Sequence, residues 1–124
     1  MEETAAETVL LDSNYIIGIL NGDIPVEEFA FRRYAISVVT VMELYALAGM
    51  SADEEKRIDE AIRHLDIISI DASIAKQAGI LARTRKRGKP DLLIAATALV
   101  LHVPLLTHNI RDFKNIPDLK LLKV

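Results

Sequence analysis

The stretch Lys89–Leu99, with the sequence KPDLLIAATAL, decides how the rest of this chain is organised. Pro90 suits the first turn of a helix because its φ is fixed and it lacks an amide hydrogen. The run behind it is apolar on nearly every side as far as His102, and a helix that is apolar all round is a buried one. Asp91 is therefore predicted to lie where a buried helix begins, near the positive end of its dipole. A lone Asp at this place is most simply a helix cap, so a functional role requires partner carboxylates from distant parts of the chain.

The composition is that of one folded domain spanning residues 1–124. Hydrophobic residues make up 51% of the chain and charged residues 27%, which excludes a disordered protein. The absence of cysteine excludes disulfides and thiolate metal sites and favours a reducing compartment. The acidic start, Met1–Glu7, is unlike a signal peptide, and no apolar run is long enough to span a bilayer. We therefore expect a cytoplasmic protein without a membrane partner. Its net charge of −3 gives no global attraction to nucleic acid, so any such binding requires a local basic patch.

Strand-like and helix-like segments alternate along the chain. Short apolar runs predict five strands, which are Thr8–Leu11, Tyr34–Val39, Asp66–Ile70, Val103–Leu106 and Leu119–Leu122. The predicted helices start after Asp12, span Ile24–Arg33, and begin at Thr40, at Ser51, at Asp71 (running to about Arg87) and at Pro90. Strands that alternate with helices indicate an α/β fold with a parallel sheet covered on both faces.

Four acidic residues are placed to meet at one edge of this sheet. Asp12, Glu43 and Asp112 each follow a predicted strand, and Asp91 opens the buried helix. Ligands of parallel sheets bind outside the carboxyl ends of the strands. Converging carboxylates repel one another unless a cation is present, and Mg²⁺ prefers oxygen ligands together with substrate phosphate. The pattern therefore predicts a divalent-metal site of the kind that supports phosphodiester cleavage.

Glu43 has an alternative interpretation that the residues alone leave open. Thr40 and Glu43 have the S/T-x-x-E spacing of a capping box, in which the Glu side chain reaches back to the first backbone amide of the helix. In that role Glu43 would bind no metal.

A basic cluster ends two residues before Asp91. Five cations fall within residues 83–89, more than a helix dipole requires at its carboxyl end, and we expect them to contact RNA phosphates. The cluster consists of Arg83, Arg85, Lys86, Arg87 and Lys89.

Four motifs together resemble those of PIN-domain ribonucleases, most closely the VapC-type toxins of toxin–antitoxin pairs. In order they are Leu10–Asn14, Ser37–Leu44, Pro90–Ala98 and Leu105–Phe113. The resemblance covers nearly the whole chain. It implies a three-layer α/β/α sandwich with a mainly parallel central sheet and metal-dependent cleavage of single-stranded RNA. It also implies a homodimer and a small antitoxin protein as partner.

The resemblance also implies roles for individual residues. Asp12 and Asp91 match the principal ligands of Mg²⁺ or Mn²⁺, and Glu43 matches a third acid that binds directly or through water. The fourth position is filled by Asp112 or Asn109, and the charge of Asp112 favours it. The polar residues expected to bind phosphate or orient water are Ser13, Asn14, Thr107 and Asn109.

Other interpretations remain open at this point. A receiver-like signalling module is also small, acidic and Mg²⁺-binding, and would use Asp71 as phosphoacceptor and Thr107 as switch residue. Against it, the first strand ends in one acid rather than an adjacent pair. A PIN nuclease acting in RNA processing without an antitoxin is a further alternative. Metal-free acid–base cleavage is disfavoured because His64 and His102 lie in separate contexts, although His108 is close to the predicted site.

Overall fold

The computed structural model describes residues 7–23, 33–47, 49–86 and 88–122. Strands and helices alternate through these residues, which confirms the α/β prediction. In chain order the elements are β1 (Thr8–Leu11), α1 (Ser13–Leu20), β2 (Arg33–Ser37), α2 (Val38–Tyr45), α3 (Ala52–Arg63), β3 (Asp66–Ile68), α4 (Ala72–Ala82), α5 (Lys89–Leu101), β4 (Leu105–Leu106), α6 (Ile110–Phe113) and β5 (Leu121–Leu122). None of the helices in these ranges has the length and apolar character needed to cross a membrane.

The sheet has five strands in the order β3-β2-β1-β4-β5, and its strand pairs are parallel. The chain builds outward from β1 through β2 to β3, then crosses over to add β4 and β5 on the other side. The order therefore reverses between β1 and β4. In open parallel sheets the ligand crevice lies at such a reversal, outside the carboxyl ends of the two strands.

Strand β1 shows why helices lie on both faces of the sheet. Its apolar run puts Val9 and Leu11 into one core cluster and Leu10 into another, because neighbouring side chains of a strand point to opposite faces. The Leu10 cluster includes buried side chains of α4 and α5, and the Val9 cluster includes those of α1, α2 and α3. The three-layer α/β/α arrangement is thus confirmed.

Helix α5 has the buried environment that its sequence predicts. Leu92, Ile94 and the alanines that follow are almost fully buried, and the Thr97 hydroxyl donates to the Leu93 carbonyl at 2.7 Å. Pro90 lies in the first turn, and the helix ends at His102, which adopts a left-handed conformation with φ 55°. The N-cap residue of α5 is Gly88, which has no side chain to cap the helix, and Asp91 lies in the first turn rather than at the N-cap.

The start of α2 corrects one prediction. The hydroxyl oxygen of Ser37 accepts a hydrogen bond from the Val39 amide at 3.1 Å, so the helix begins at Val38 and the strand ends at Ser37. The predicted strand to Val39 and the capping box from Thr40 are therefore wrong. Glu43 lies near the end of α2, too far along the helix to cap its start.

Other element ends differ in smaller ways. Helix α4 ends at Ala82 with Arg83 as its C-cap, not at Arg87, and β3, β4 and β5 are shorter than predicted. The predicted helix Ile24–Arg33 lies outside the described residues except for Arg33, which begins β2. The helix predicted to begin at Ser51 is confirmed, and Ser51 and Glu54 form a capping box at its start.

Candidate active site

Asp12 lies at the reversal point of the sheet and is held from two sides. It directly follows β1, is only 3% exposed, and its Oδ1 accepts the Tyr15 amide at 2.9 Å as the N-cap of α1. Its Oδ2 accepts a hydrogen bond from the hydroxyl of Thr107, the residue that follows β4. The Thr107 oxygen in turn accepts the Asn109 amide at 2.9 Å, which leaves its single proton for Asp12.

Burial is the largest influence on the Asp12 carboxyl and raises its pKa. The hydrogen bonds from Thr107 and Tyr15 lower the pKa, as does the charge of His108, but burial prevails. An ionised carboxylate removed from water is costly unless a positive charge or a proton compensates it. Asp12 is thus a carboxylate that the fold buries and orients, and among the described residues no Lys or Arg forms a salt bridge with it.

Glu43 shares this space with two other acids. Burial raises the pKa of its carboxyl most, the charges of Asp91 and Asp12 raise it further, and a hydrogen bond with Ser13 lowers it. Within the described ranges, its Oε1 is a buried acceptor without a hydrogen-bond donor. The charges of Asp12, at the N-cap of α1, and of Asp91, on α5, therefore act on Glu43 of α2 although the three residues are far apart in sequence.

This donor set fits a hard divalent cation. Carboxylate oxygens are the ligands that Mg²⁺ prefers, and the unmet Oε1 of Glu43 is an oxygen that a cation or its water can satisfy. In the part of the chain that is described, no group of three or more His, Cys, Asp or Glu side chains is placed so that together they could hold a metal ion. Mg²⁺ does not need such a group, because it retains several waters and is commonly bound by one or two carboxylates. Asp12 and Asp91 are the residues that would hold it, with Glu43 as the third acid.

Comparison with known proteins agrees with this geometry. The PIN domain family model matches residues 9–119. The chain belongs to the PIN domain family. A curated relative, ribonuclease VapC10 of Mycobacterium tuberculosis, is 30% identical over 122 residues, which are 90% of each chain. A DNA-bound VapBC structure from Salmonella typhimurium superposes with a TM-score of 0.81 at 28% identity, covering 94% of this chain and 98% of that one. VapBC2 of Rickettsia felis, bound to a DNA fragment from the promoter, gives a TM-score of 0.80 at 25% identity over 94% and 98% of the two chains.

Family membership decides against the receiver-like interpretation, and the structure gives the residue-level reason. Asp71 is exposed, and its carboxylate accepts the Ile74 amide at 2.9 Å as the N-cap of α4. The same observation confirms the predicted start of a helix at Asp71. Asp71 follows β3, an edge strand of the sheet, whereas Asp12 follows β1, the central strand.

Thr107 has a different role from the one predicted. It is fully buried and its hydroxyl is engaged by Asp12, so it orients the carboxylate and is not available to bind phosphate. Ser13 lies against Glu43, and Asn14 is exposed on the first turn of α1.

The fourth position of the PIN-domain site stays a prediction. The backbone of Asn109 belongs to the Asp12 network, and Asp112 lies one helical turn further along on α6. Asp112 lines a shallow cavity between α4 and α6 that adjoins the basic cluster. The lining residues are Thr84, Arg85, Lys86, Asp112, Asn115 and Ile116.

The basic cluster occupies the connection between α4 and α5. Among the described members, only Arg83 lies at the carboxyl end of a helix, and Lys89 begins α5, so the helix dipole accounts for little of the cluster. Arg85 is half-buried, and its guanidinium donates to the carbonyls of Leu81 at 3.4 Å and Asn115 at 3.1 Å, which ties this connection to the segment after α6. Lys86 and Lys89 are exposed, and Arg87 lies outside the described residues.

Two further residues at this site were not assigned a function by sequence reasoning. Tyr15 is fully buried, gives its amide to Asp12, and packs its ring against His108 with the centroids 5.3 Å apart and the planes at 89°. An Asp at an N-cap commonly accepts the backbone amide of the residue three positions later. The contact between Asp12 and the Tyr15 amide could therefore be predicted from the sequence. The contact between the Tyr15 and His108 rings joins residues that are far apart in sequence, so no local sequence pattern predicts it.

Proposed function

We propose that this PIN domain is a metal-dependent endoribonuclease and the toxin of a toxin–antitoxin pair. The observation that carries the proposal is the buried Asp12 carboxylate at the β1–β4 reversal, with the charges of Glu43 and Asp91 acting on the same space. The relatives named ribonuclease VapC and the solved VapBC assemblies support the activity and the partner class.

The residues of this chain divide the work of phosphodiester hydrolysis. Asp12 and Asp91 would hold Mg²⁺ or Mn²⁺, and Glu43 would bind it directly or through water. When bound, the cation would supply charge neutralisation and lower the pKa of a water for in-line attack. Thr107 and the Tyr15 amide keep the Asp12 oxygens in place, and Ser13 orients Glu43. The products then carry 5′-phosphate and 3′-hydroxyl ends.

The exposed cations near Asp91 are the feature of the charge distribution that supports binding of RNA phosphates. The net charge of −3 repels RNA from most of the surface, so binding depends on the exposed cations near Asp91. Lys89 is in the first turn of the helix that carries Asp91, and Lys86 precedes it by three residues. Phosphates bound by these cations would bring the RNA backbone towards the acids.

The surface of α2 supports the proposed protein partners. Met42 is 58% exposed and Leu47, just after the helix, is 49% exposed, so large apolar side chains face solvent on the element that carries Glu43. Such a surface suits an antitoxin segment or a second copy of the chain.

A role in RNA processing without an antitoxin is the alternative. Growth arrest on expression, relieved by a small protein encoded next to this one, would distinguish the toxin.

The activity is tested by incubating the protein with unstructured RNA in Mg²⁺, in Mn²⁺ and in chelator. We expect cleavage only with metal, ends that are 5′-phosphate and 3′-hydroxyl, and no cleavage by Asp91→Asn purified in parallel. Undiminished cleavage in chelator, or cyclic phosphate ends, would contradict the proposal.

A further inference from the structure

His108 presents an exposed ring beside the acids. Of the two rings that meet here, Tyr15 is fully buried, whereas His108 is exposed to solvent. The charge of His108 acts on the buried Asp12 carboxyl, so the imidazole lies within electrostatic range of the reaction site. Neither the Asp12 network nor the basic cluster uses this side chain.

The ring of His108 is held in place before any ligand binds. It meets the Tyr15 ring edge to face, which is a favoured arrangement of aromatic pairs. Its backbone neighbours are fixed as well, because Thr107 is bonded to Asp12 and the Asn109 amide is bonded to Thr107. A ring positioned in this way loses little conformational entropy when a flat ligand packs on it.

We propose that His108 binds substrate by stacking on the nucleobase next to the scissile phosphate. The inference rests on the proposed ribonuclease function and adds a base contact to it. Stacking on a ring tolerates any base, because every base has a π face. Lys86 and Lys89 are exposed and can bind the RNA phosphates. The His108 ring beside the acids is therefore assigned to a nucleobase and not to the RNA backbone.

The test compares four proteins on three RNAs. The proteins are the wild type, His108→Ala, His108→Phe, which retains a ring, and His108→Lys, which retains only a positive charge. The first RNA contains a single mapped cleavage site, and the other two carry an abasic nucleotide on the 5′ side or on the 3′ side of that site. KM and kcat are measured in Mg²⁺, and affinity is measured in chelator by fluorescence anisotropy.

We expect His108→Ala to raise KM and to weaken binding in chelator by roughly tenfold, with kcat little changed. His108→Phe should retain wild-type values, and His108→Lys should resemble His108→Ala. On one of the abasic RNAs the wild type and His108→Ala should become equal.

Two results would overturn the inference. An equal defect of His108→Ala on intact and abasic RNA would indicate a structural role, and rescue by His108→Lys would indicate a phosphate contact. Failure of the wild type to cleave any RNA would refute the proposed function separately, since binding in chelator still tests His108.

Discussion

Thr107 donates its hydroxyl proton to Oδ2 of Asp12 across a sequence separation of 95 residues. The contact exists because β1 and β4 pair in parallel register, with Leu11 opposite Leu106, so that the residues following the two strands are neighbours. The Asn109 amide donates to the same hydroxyl and thereby fixes the direction of its proton. The orientation of the principal carboxylate is thus set by the strand across the reversal point.

Removal of the Thr107 hydroxyl should weaken both the fold and the activity. Thr107→Val keeps the shape but leaves Oδ2 of Asp12 and the Asn109 amide without their partner. We expect a loss of about 1–3 kcal/mol in the free energy of unfolding and a fall in cleavage of about 10- to 100-fold, as for other groups that orient metal ligands. Urea denaturation in chelator and single-turnover cleavage measure the two effects. Thr107→Ser is the matched control, and a Val variant as active as Ser would refute the positioning role.

Asp91→Asn should separate a metal ligand from a structural residue. Helix α5 has no side-chain cap at Gly88, and the charge of Asp91 raises the pKa of Glu43, so the substitution removes repulsion. The metal-free protein should be as stable as wild type or more stable, and the stabilisation by added Mg²⁺ should shrink. Thermal unfolding with and without Mg²⁺ measures both. Lower metal-free stability with a normal response to Mg²⁺ would show that Asp91 serves only the helix.

Glu43→Gln and Glu43→Ala should both abolish cleavage. The helix start is capped by Ser37, so neither change removes a capping bond, and Glu43→Ala should not show the loss of about 1 kcal/mol typical of a missing cap. We expect both variants to lose more than about 100-fold in activity, exceeding the usual effect of an outer-shell residue. Ser37→Ala is the control that should lose stability. Normal metal-dependent cleavage by Glu43→Gln would exclude a role at the metal.

The raised pKa of Glu43 predicts a pH dependence in the absence of metal. The folded protein holds the Glu43 proton more tightly than the unfolded chain, whose pKa is near the usual 4.5. The stability that protonated Glu43 contributes is therefore fully present below pH 4.5. It is lost as pH rises through the pKa that Glu43 has in the folded protein. The stability of Glu43→Gln minus that of wild type should be constant at low pH and increase as pH rises above 4.5. Denaturant titrations in chelator at several pH values measure the difference, and a flat difference would contradict burial of the charge.

Exposed cations should control RNA affinity by neutralising phosphates. Lys86 and Lys89 are better probes than Arg85, whose bonds to the Leu81 and Asn115 carbonyls make its removal a structural change as well. Lys86→Ala with Lys89→Ala should weaken binding of any single-stranded sequence. The plot of log affinity against log salt should flatten by about 0.7 for each phosphate that the variant no longer neutralises.

The control for this experiment replaces two exposed lysines elsewhere, Lys56 on α3 and Lys120 just before β5. It changes the net charge equally and should leave the slope of the salt dependence near that of the wild type. Equal slopes for both double variants would mean that Lys86 and Lys89 act only through the overall charge.

Local patterns were sufficient for much of the fold. The apolar run of β1, the Asp12 that ends it and the all-round apolar helix after Pro90 were predicted with little error, because each depends on neighbouring residues. The end of β2 was not, since Val38 and Val39 favour a strand by composition while the buried Ser37 caps a helix there. The true cap at Ser37 and the false one at Thr40 look alike in sequence.

The sequence by itself determined which residues bear charge and which elements are buried, since hydrophobic periodicity acts over a few residues. It therefore specified the parallel sheet, the acid Asp12 at the end of β1 and the acid Asp91 at the start of the buried helix. Tertiary structure alone decided which side chains meet. The Thr107–Asp12 bond and the Tyr15–His108 ring pair depend on the register of β1 with β4, and the charges that Asp91 and Asp12 exert on Glu43 depend on how α1, α2 and α5 pack. Such contacts follow from burying the whole core at once, and no short stretch of the chain contains them.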